Sequence, residues 1–145
     1  MTTDAVELPL MHWIWLTALS GIVSNIGWEL FNYFGHATMH SFASAMKSTE
    51  RDRMYVVLPL YHSAGGVCAV GSTLTVGGSV IIRRKFSVTQ FWEDCVKYRA
   101  TQFEYIGELC RYLLNSPPHP LERKHNLRVI MGNGLRPEIW PAFKA

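Results

Sequence analysis

The stretch MYVVLPLYHSAGGVCAVGSTLTVGGSVIIRR, residues 54–84, contains two apolar runs separated by a segment of small residues. Met54–Leu60 is short and apolar and contains Pro59 near its end, which is typical of a buried strand. Ser63–Gly78 has the composition of a small-residue helix and ends on a glycine pair, as helices often do. Ser79–Arg84 is rich in β-branched residues and predicts a second strand. This order of strand, helix and strand indicates a parallel pair of strands with a helical connection.

The same alternation continues along the rest of the chain. Ser87–Ala100 begins with a serine suited to cap a helix and repeats apolar residues at helical spacing. Thr101–Ile106 follows as a third strand, and Gly107–Asn115 as a helix stopped by the proline-rich segment SPPHP. Leu127–Gly132 is the fourth strand. Four alternations of strand and helix predict an α/β fold with a largely parallel sheet and flanking helices.

Polar or glycine-rich clusters follow each of the four predicted strands. Ligands of parallel sheets bind at the carboxyl ends of the strands, so we expect a binding site where these clusters meet. The clusters are Tyr61–His62, Arg83–Lys85, Gly107–Glu108 and Gly132–Gly134.

Composition limits the function of these 145 residues. A hydrophobic content of 48% and a charged content of 17% exclude a disordered or acidic-tail protein. The formal net charge of +3 is far from the dense basic patch of a nucleic-acid binder, so we expect no nucleic-acid partner. Cys68, Cys95 and Cys110 have neither disulfide-framework nor zinc-site spacing. Their apolar neighbours predict buried thiols in a reducing compartment.

Residues 1–35 form an apolar N-terminal segment that differs in character from residues 36–145. Leu8–Trp28 contains no Asp, Glu, Lys or Arg, and a helix of that length would be about 30 Å long, enough to cross a bilayer. The basic residues that follow would then place the next part on the cytoplasmic side. Polar residues within the run favour a buried or poorly packed segment instead. Both interpretations stay open, and they predict a location in the cytoplasm or at the cytoplasmic face of a membrane.

His62 stands directly after the first predicted strand and before a glycine-rich helix start. Its ring N–H and the nearby backbone amides are suited to an anionic ligand, and a histidine that only caps the strand end is the structural alternative. The glycines match neither GxGxxG nor GxxxxGK[ST], so no phosphate-binding loop is predicted. No GxSxG serine and no paired carboxylates indicate hydrolysis, so these residues alone do not identify the reaction.

Four motifs in this order resemble the fatty acid transport protein family of very-long-chain acyl-CoA synthetases. These synthetases belong to the adenylate-forming, AMP-binding superfamily, and the resemblance covers about residues 36–145. It implies an internal fragment, a partial AMP-binding and acyl-binding domain derived from the large N-terminal domain of such an enzyme. The motifs are DRMYVVLPLYHSAGG, GGSVIIRRKFSVTQFWEDC, YIGELCRYLLNSPP and MGNGLRPEIWPAF.

The resemblance implies that a long-chain or very-long-chain fatty acid is activated with ATP and magnesium and then transferred to CoA. The carboxylate attacks the α-phosphate of ATP to give acyl-adenylate and pyrophosphate, and the CoA thiol then displaces AMP. By position in the motifs, His62 would be catalytic, beside the acyl carboxylate and the α-phosphate. The acyl-binding residues would be Tyr61, Tyr105, Ile106, Gly107 and Glu108, and the nucleotide-binding residues Gly132, Asn133, Gly134, Leu135 and Arg136.

The chain departs from the pattern of the family on both sides of the match. The family carries a phosphate loop upstream and, downstream, a Thr-Glu motif that holds magnesium and a C-terminal domain with a catalytic lysine. None of these is found in this sequence, so we expect no metal ligand and no complete reaction from this chain alone. The alternatives are a membrane-associated remnant that binds fatty acid and one subunit of a split synthetase completed by a second chain.

Overall fold

The computed structural model describes residues 10–144, which divide into two units between His36 and Ala37. The helices are α1 (Leu10–Ala45), α2 (Ser72–Thr75), α3 (Val88–Lys97), α4 (Gly107–Leu114) and α5 (Trp140–Lys144), with a π-helix at Ala64–Gly71. The strands are β1 (Arg53–Val56), β2 (Ser79–Ile82), β3 (Gln102–Ile106) and β4 (Val129–Asn133).

The first unit is helical throughout its described part, which is the larger portion of α1. The described side chains of residues 15–31 are exposed, and Trp15 and Trp28 keep 69% and 63% of their surface. The expectation of a buried segment is therefore wrong for these residues, whereas a poorly packed segment agrees with their exposure. Within residues 10–144, no helix is both long enough and apolar enough to cross a membrane.

In the second unit, the four strands form one parallel sheet in the order β2-β1-β3-β4. The predicted α/β fold with a parallel sheet and flanking helices is confirmed. β1 pairs with β3 through Met54 and Gln102, and β3 pairs with β4 through Tyr105 and Gly132. Because all four strands point the same way, the loops that follow them meet at one edge of the sheet. We call this the carboxyl edge; it comprises residues 57–63, 83–87, 107–108 and 134–136.

One face of the sheet packs against α3 and α4 through aromatic side chains. The ring of Phe91 lies 4.9 Å from that of Phe103 and 4.8 Å from that of Trp92, centroid to centroid. Pairs of this kind stabilise a core by about 0.5–1.5 kcal/mol beyond the burial of their area. The helical spacing predicted an apolar side of α3 that comprises Val88, Phe91, Trp92, Cys95 and Val96. Phe91, Trp92 and Cys95 are buried, and Val88 and Val96 are half-buried. The prediction of buried, unpaired thiols is confirmed for all three cysteines.

The other face of the sheet is covered by the π-helix, which departs from the single helix predicted over Ser63–Gly78. An ideal Cβ on Gly65 or Gly66 would overlap the carbonyl oxygens of Pro59 and Leu60, so only glycine permits this close approach. The hydroxyl groups at positions 72, 73 and 75 donate to main-chain carbonyls four residues earlier. Bonds of this kind are typical of Ser and Thr side chains within helices.

Candidate functional site

The start of α4, directly after β3, touches the end of β4 and the loop that follows it through the backbone. An ideal Cβ on Gly107 would overlap the carbonyl oxygen of Gly134, and one on Gly132 would overlap that of Tyr105. Gly134 also has a φ of +71°, a conformation that residues with a side chain rarely adopt. Gly132, Asn133 and Gly134 are exposed. Together these residues present an open surface with little side-chain cover, against which a flat ring is able to pack.

Replacing Gly107 by alanine is expected to lower the free energy of unfolding by about 1–3 kcal/mol. The added methyl group meets main-chain atoms of the loop after β4, which cannot rotate away as a side chain would. Chemical denaturation measures the change. Gly27→Ala is the matched control, because nothing lies within 4 Å of its Cβ position. Equal stability of Gly107→Ala and the parent would contradict the close contact between the start of α4 and this loop.

His62 lies in the exposed loop between β1 and the π-helix. Its Nδ1 accepts a hydrogen bond from the Ala64 N–H at 3.1 Å, and its carbonyl accepts one from the Gly66 N–H at 2.8 Å. Because Nδ1 is an acceptor here, the neutral ring carries its proton on Nε2. Nε2–H is therefore a hydrogen-bond donor on an exposed side chain. Tyr61 precedes it and is 94% exposed.

Glu108 lies in the first turn of α4 and pairs with Arg111 one turn later, the ordinary helix pair that the spacing predicted. Arg111 Nε donates to Glu108 Oε2 at 3.0 Å. The hydrogen bond from Arg111 holds the pKa of the Glu108 carboxyl below its usual range, and the positive charge of Arg136 acts in the same direction. Glu108 is therefore ionised at neutral pH, with its negative charge offset by two guanidinium groups.

The residues expected to bind the acyl group differ in exposure. Tyr105 is 7% exposed and belongs to the core on the α3 side, whereas Ile106 is 41% exposed. Ile106 is the last residue of β3 and the only one of its five that is exposed. Leu135 packs against the same core as Tyr105. The structure thus brings Tyr105–Gly107 together with Gly132–Leu135, while the hydrogen bonds of His62 stay within its own loop.

The basic run Arg83–Lys85 after β2 contains one residue that is paired with an acidic side chain. Arg83 Nε donates to Asp94 Oδ2 at 2.6 Å, and Tyr55 OH donates to the same oxygen at 2.9 Å. Arg83 therefore links the end of β2 to α3, and its guanidinium is already engaged by Asp94. The remaining members, Arg84 and Lys85, are exposed.

Asp52 and Arg128, which sequence analysis did not single out, hold the opposite, amino edge of the sheet together. Arg128 Nε and Nη2 donate to Asp52 Oδ1 and Oδ2 at 2.9 and 2.6 Å. Thr101 Oγ1 donates to Oδ1 at 2.7 Å, and the Thr49 N–H donates to Oδ2 at 2.8 Å. The two charged residues are 76 positions apart, so no local pattern could have indicated the pair.

Glu104 is a second group that sequence analysis missed. It is 5% exposed, it lies opposite Met131 in the β3–β4 register, and its Oε2 has no hydrogen-bond partner. Burial raises the pKa of its carboxyl to about 8. Its negative form would also raise the pKa of the neighbouring Cys68 thiol, whose burial already does so.

Comparison with known proteins gives a consistent result. Residues 32–145 match the family described as AMP-binding enzyme. The chain is 50% identical over 110 residues to long-chain fatty acid transport protein 1 of Rattus norvegicus, covering 76% of this chain and 16% of that protein. It is also 50% identical over 92 residues to the medium/long-chain-fatty-acid–CoA ligase FadD6 of Mycobacterium tuberculosis, covering 63% of this chain and 15% of that protein. The chain therefore spans about one sixth of the length of these relatives.

The solved structures agree on the fold. A crystal structure of a long-chain-fatty-acid CoA ligase from Rhodopseudomonas palustris superimposes with a TM-score of 0.63 at 24% sequence identity. The match covers 73% of this chain and 26% of that one. The parallel sheet and its flanking helices are thus an arrangement that the two proteins share.

Proposed function

This chain belongs to the AMP-binding enzyme family, and on that premise we propose that its second unit supplies part of the acyl- and adenylate-binding surface of a fatty-acid–CoA ligase. In the reaction, a carboxylate oxygen of the fatty acid bonds to the α-phosphorus of ATP as pyrophosphate leaves. The CoA sulfur then bonds to the acyl carbon as AMP leaves. The main support is the carboxyl edge, where an exposed histidine follows β1 and a side-chain-poor glycine surface lies at the end of β4, two strands away in the same parallel sheet.

His62 is proposed as the residue that meets the developing negative charge. Its Nδ1 is occupied by the Ala64 N–H, so its Nε2–H is the donor available to an oxygen of the carboxylate or α-phosphate. A donor that is oriented before the reaction stabilises charge without having to reorganise, which is the main electrostatic contribution to such chemistry. Tyr61, beside it, would shape the mouth of the acyl site.

The glycine surface is proposed as the wall for the adenine ring. Gly132, Asn133 and Gly134 leave room for a planar group to approach the main chain. Leu135 and Arg136 would complete this turn, and Ile106 would present apolar surface to the acyl chain. The ionised carboxylate of Glu108 is suited to accept hydrogen bonds from hydroxyl or amino groups.

Magnesium is implied by the family. Among the residues that the structure describes, no group of three or more His, Cys, Asp or Glu side chains could hold a metal ion. Magnesium in ATP sites is commonly held by one or two carboxylates together with the substrate phosphates. We propose that the complete reaction requires segments outside residues 10–144, in the same protein or in a second chain.

The exposed apolar side chains of α1 support a further part of this proposal, namely peripheral contact with a membrane surface. Trp15, Leu19, Ile22 and Ile26 are each more than half exposed. Moving apolar and aromatic side chains out of water and into the boundary between headgroups and acyl chains lowers the free energy. Sedimentation of the chain with lipid vesicles tests this part separately from the site.

The proposal for His62 is tested with a stable mimic of the acyl-adenylate, hexadecanoyl-sulfamoyl-adenosine. We expect the chain to bind it saturably, and His62→Ala to raise the Kd about tenfold because a hydrogen bond to a charged group is lost. His119→Ala is the matched control, since Nδ1 of the half-buried His119 likewise accepts an N–H two residues ahead in a loop, that of Leu121 at 3.2 Å. Equal effects of the two substitutions, or no binding by the parent, would refute the assignment.

A further inference from the structure

His62 is held in its loop at three points. Its N–H donates to the Pro59 carbonyl at 3.1 Å, and its carbonyl accepts the Gly66 N–H at 2.8 Å. The third contact is the hydrogen bond that Nδ1 accepts from the Ala64 N–H at 3.1 Å. The main chain and one side of the ring are therefore both fixed, although residues 59–63 are exposed.

Two glycines bring the start of the π-helix against the chain that carries His62. An ideal Cβ on Gly65 would overlap the Pro59 carbonyl, and one on Gly66 would overlap the Leu60 carbonyl. Both overlaps would be with main-chain atoms, so no side chain could rotate to relieve them. The close approach of helix and loop therefore depends on the absence of side chains at these two positions.

Gly66 contributes to this arrangement in two ways. Its N–H holds the His62 carbonyl, and its missing side chain leaves the space that the Leu60 carbonyl occupies. A methyl group at position 66 would push residues 60–62 away from the helix start, to which Ala64 belongs. The hydrogen bond from the Ala64 N–H to Nδ1 would then lengthen and weaken. Once Nδ1 accepts no hydrogen bond, the neutral imidazole can carry its proton on either nitrogen.

A purely structural role for His62 makes a different prediction. The first N–H groups of a helix have no partner within the helix, and His62 Nδ1 supplies one for Ala64, whereas the Ser63 side chain makes no capping hydrogen bond. An asparagine at position 62 would provide a similar acceptor two residues before this N–H. A histidine that serves only as a cap is thus replaceable by asparagine, but one that donates through Nε2–H is not.

We propose that Gly66 is a positioning residue for His62, which keeps Nδ1 occupied and Nε2–H as the donor at the carboxyl edge. The inference rests on the proposed function, in which Nε2–H meets an oxygen of the carboxylate or α-phosphate, and it names the residue that sets this orientation. π-Helical turns occur frequently at functional sites. Here the start of the π-helix is the surface against which the His62 loop is placed.

Nitrogen-15 NMR of the full, isotope-labelled chain at pH 8, where an ordinary histidine is neutral, tests the proposal without a ligand. The His62 signals are identified by their loss in His62→Ala. We expect the Nε2–H tautomer alone in the parent and a mixture of both tautomers in Gly66→Ala. Gly71→Ala is the matched control, because the methyl group that it adds to the same π-helix meets the flexible Met39 side chain and not the main chain. It should keep the tautomer of the parent.

Binding of the acyl-adenylate mimic gives a second readout. If Nε2–H is available in about one third of the molecules, Gly66→Ala should raise the Kd about threefold. The double variant Gly66→Ala/His62→Ala should bind no more weakly than His62→Ala alone, since Gly66 acts through the imidazole. His62→Asn, which retains the cap but has no Nε2–H, should bind as weakly as His62→Ala.

The proposal would be overturned by mixed tautomers in the parent, an unchanged tautomer in Gly66→Ala, additive effects in the double variant, or parent-like binding by His62→Asn. Loss of the fold in Gly66→Ala would overturn it as well, because the displaced loop is exposed and should move without unfolding the domain. Failure of the mimic to bind the parent would refute the ligase proposal instead. The tautomers of the parent and of Gly66→Ala would then still decide the role of Gly66.

Discussion

Asp52→Ala is expected to lower the free energy of unfolding by about 3 kcal/mol. Removing one partner of a buried ion pair costs about 3–5 kcal/mol, and the lower end applies because Arg128 is partly exposed and regains water. The substitution also leaves the Thr101 hydroxyl and the Thr49 N–H without their acceptor. Since these groups lie before β1, β3 and β4, the amino edge of the sheet should loosen as a whole.

The stabilisation by Asp52 should depend on pH in a defined direction. Burial alone would raise the pKa of this carboxyl, but the hydrogen bonds from Arg128, Thr101 and Thr49 together hold it far below its ordinary value. The folded state therefore binds this proton less readily than the unfolded state does. The contribution of Asp52 to the free energy of unfolding is fully present above its unfolded-state pKa of about 4. It is lost as the pH falls from there towards the pKa of the folded state.

Urea denaturation of the parent and Asp52→Ala at pH 6 and pH 3 measures both effects. The difference in unfolding free energy between the two proteins should be smaller at pH 3 than at pH 6. Glu108→Ala is the matched control, because Glu108 also pairs with an arginine through its carboxylate but on the exposed surface. Its stability should stay close to that of the parent. A loss as large as that of Asp52→Ala would show that burial of the pair is not the cause.

The fold was predictable because its signals are local and repeated. Each strand is a short apolar run and α3 repeats apolar residues at helical spacing, so the order of elements and the parallel sheet followed. Ser87 does stand at the N-cap position of α3, but its side chain makes no capping hydrogen bond there. Boundaries were less accurate, as β1 was expected to reach Leu60 and ends at Val56. Val57 and Leu58 are buried as the apolar run indicated, but burial does not require pairing with a neighbouring strand. The π-helix escaped prediction because it depends on the contact of two glycines with the preceding loop.

The candidate site was predictable in its position along the chain but not in its contacts. Parallel strands bring their carboxyl ends together, so the clusters after β1, β3 and β4 could be placed at one edge in advance. The contact of Gly107 with Gly134 joins the start of α4 to the loop after β4, which is distant in sequence, and no local pattern indicates it. Arg83 looked like part of an anion-binding run because its partner, Asp94, lies on a different element. Long-range pairing of this kind decides whether a charge is available to a ligand.

Glu104→Gln is expected to stabilise the protein by about 3 kcal/mol at pH 8. Glu104 lies on β3 among apolar neighbours, and no described group donates a hydrogen bond to its Oε2. Burial raises the pKa of the carboxyl to about 8, from an ordinary value of 4.5. Glutamine has nearly the same shape and no charge, so it avoids the loss of unfolding free energy that the buried carboxyl causes at alkaline pH. A buried amide without full hydrogen bonding offsets about 1 kcal/mol of the gain.

The sign of the pH dependence is opposite to that for Asp52. The folded state retains a proton on Glu104 that the unfolded chain releases above about pH 4.5, so stability falls as the pH rises from 4.5 to about 8 and is level beyond. The expected slope in that interval is about 1.4 kcal/mol per pH unit. Together, the two carboxyls favour greatest stability near pH 4 to 5. Below that interval Asp52 stabilises the fold less, and above it ionisation of Glu104 in the unfolded chain lowers the free energy of unfolding.

Unfolding free energies of the parent and Glu104→Gln, measured at pH 5, 6.5 and 8, test this prediction. The advantage of the variant should grow with each step, whereas Glu93→Gln, on the exposed surface of α3, should follow the parent throughout. Parallel curves for the parent and Glu104→Gln would mean that the Glu104 carboxyl is hydrated or paired in solution. The prediction is independent of the proposed ligase activity, because it concerns only the layer between β3 and the π-helix.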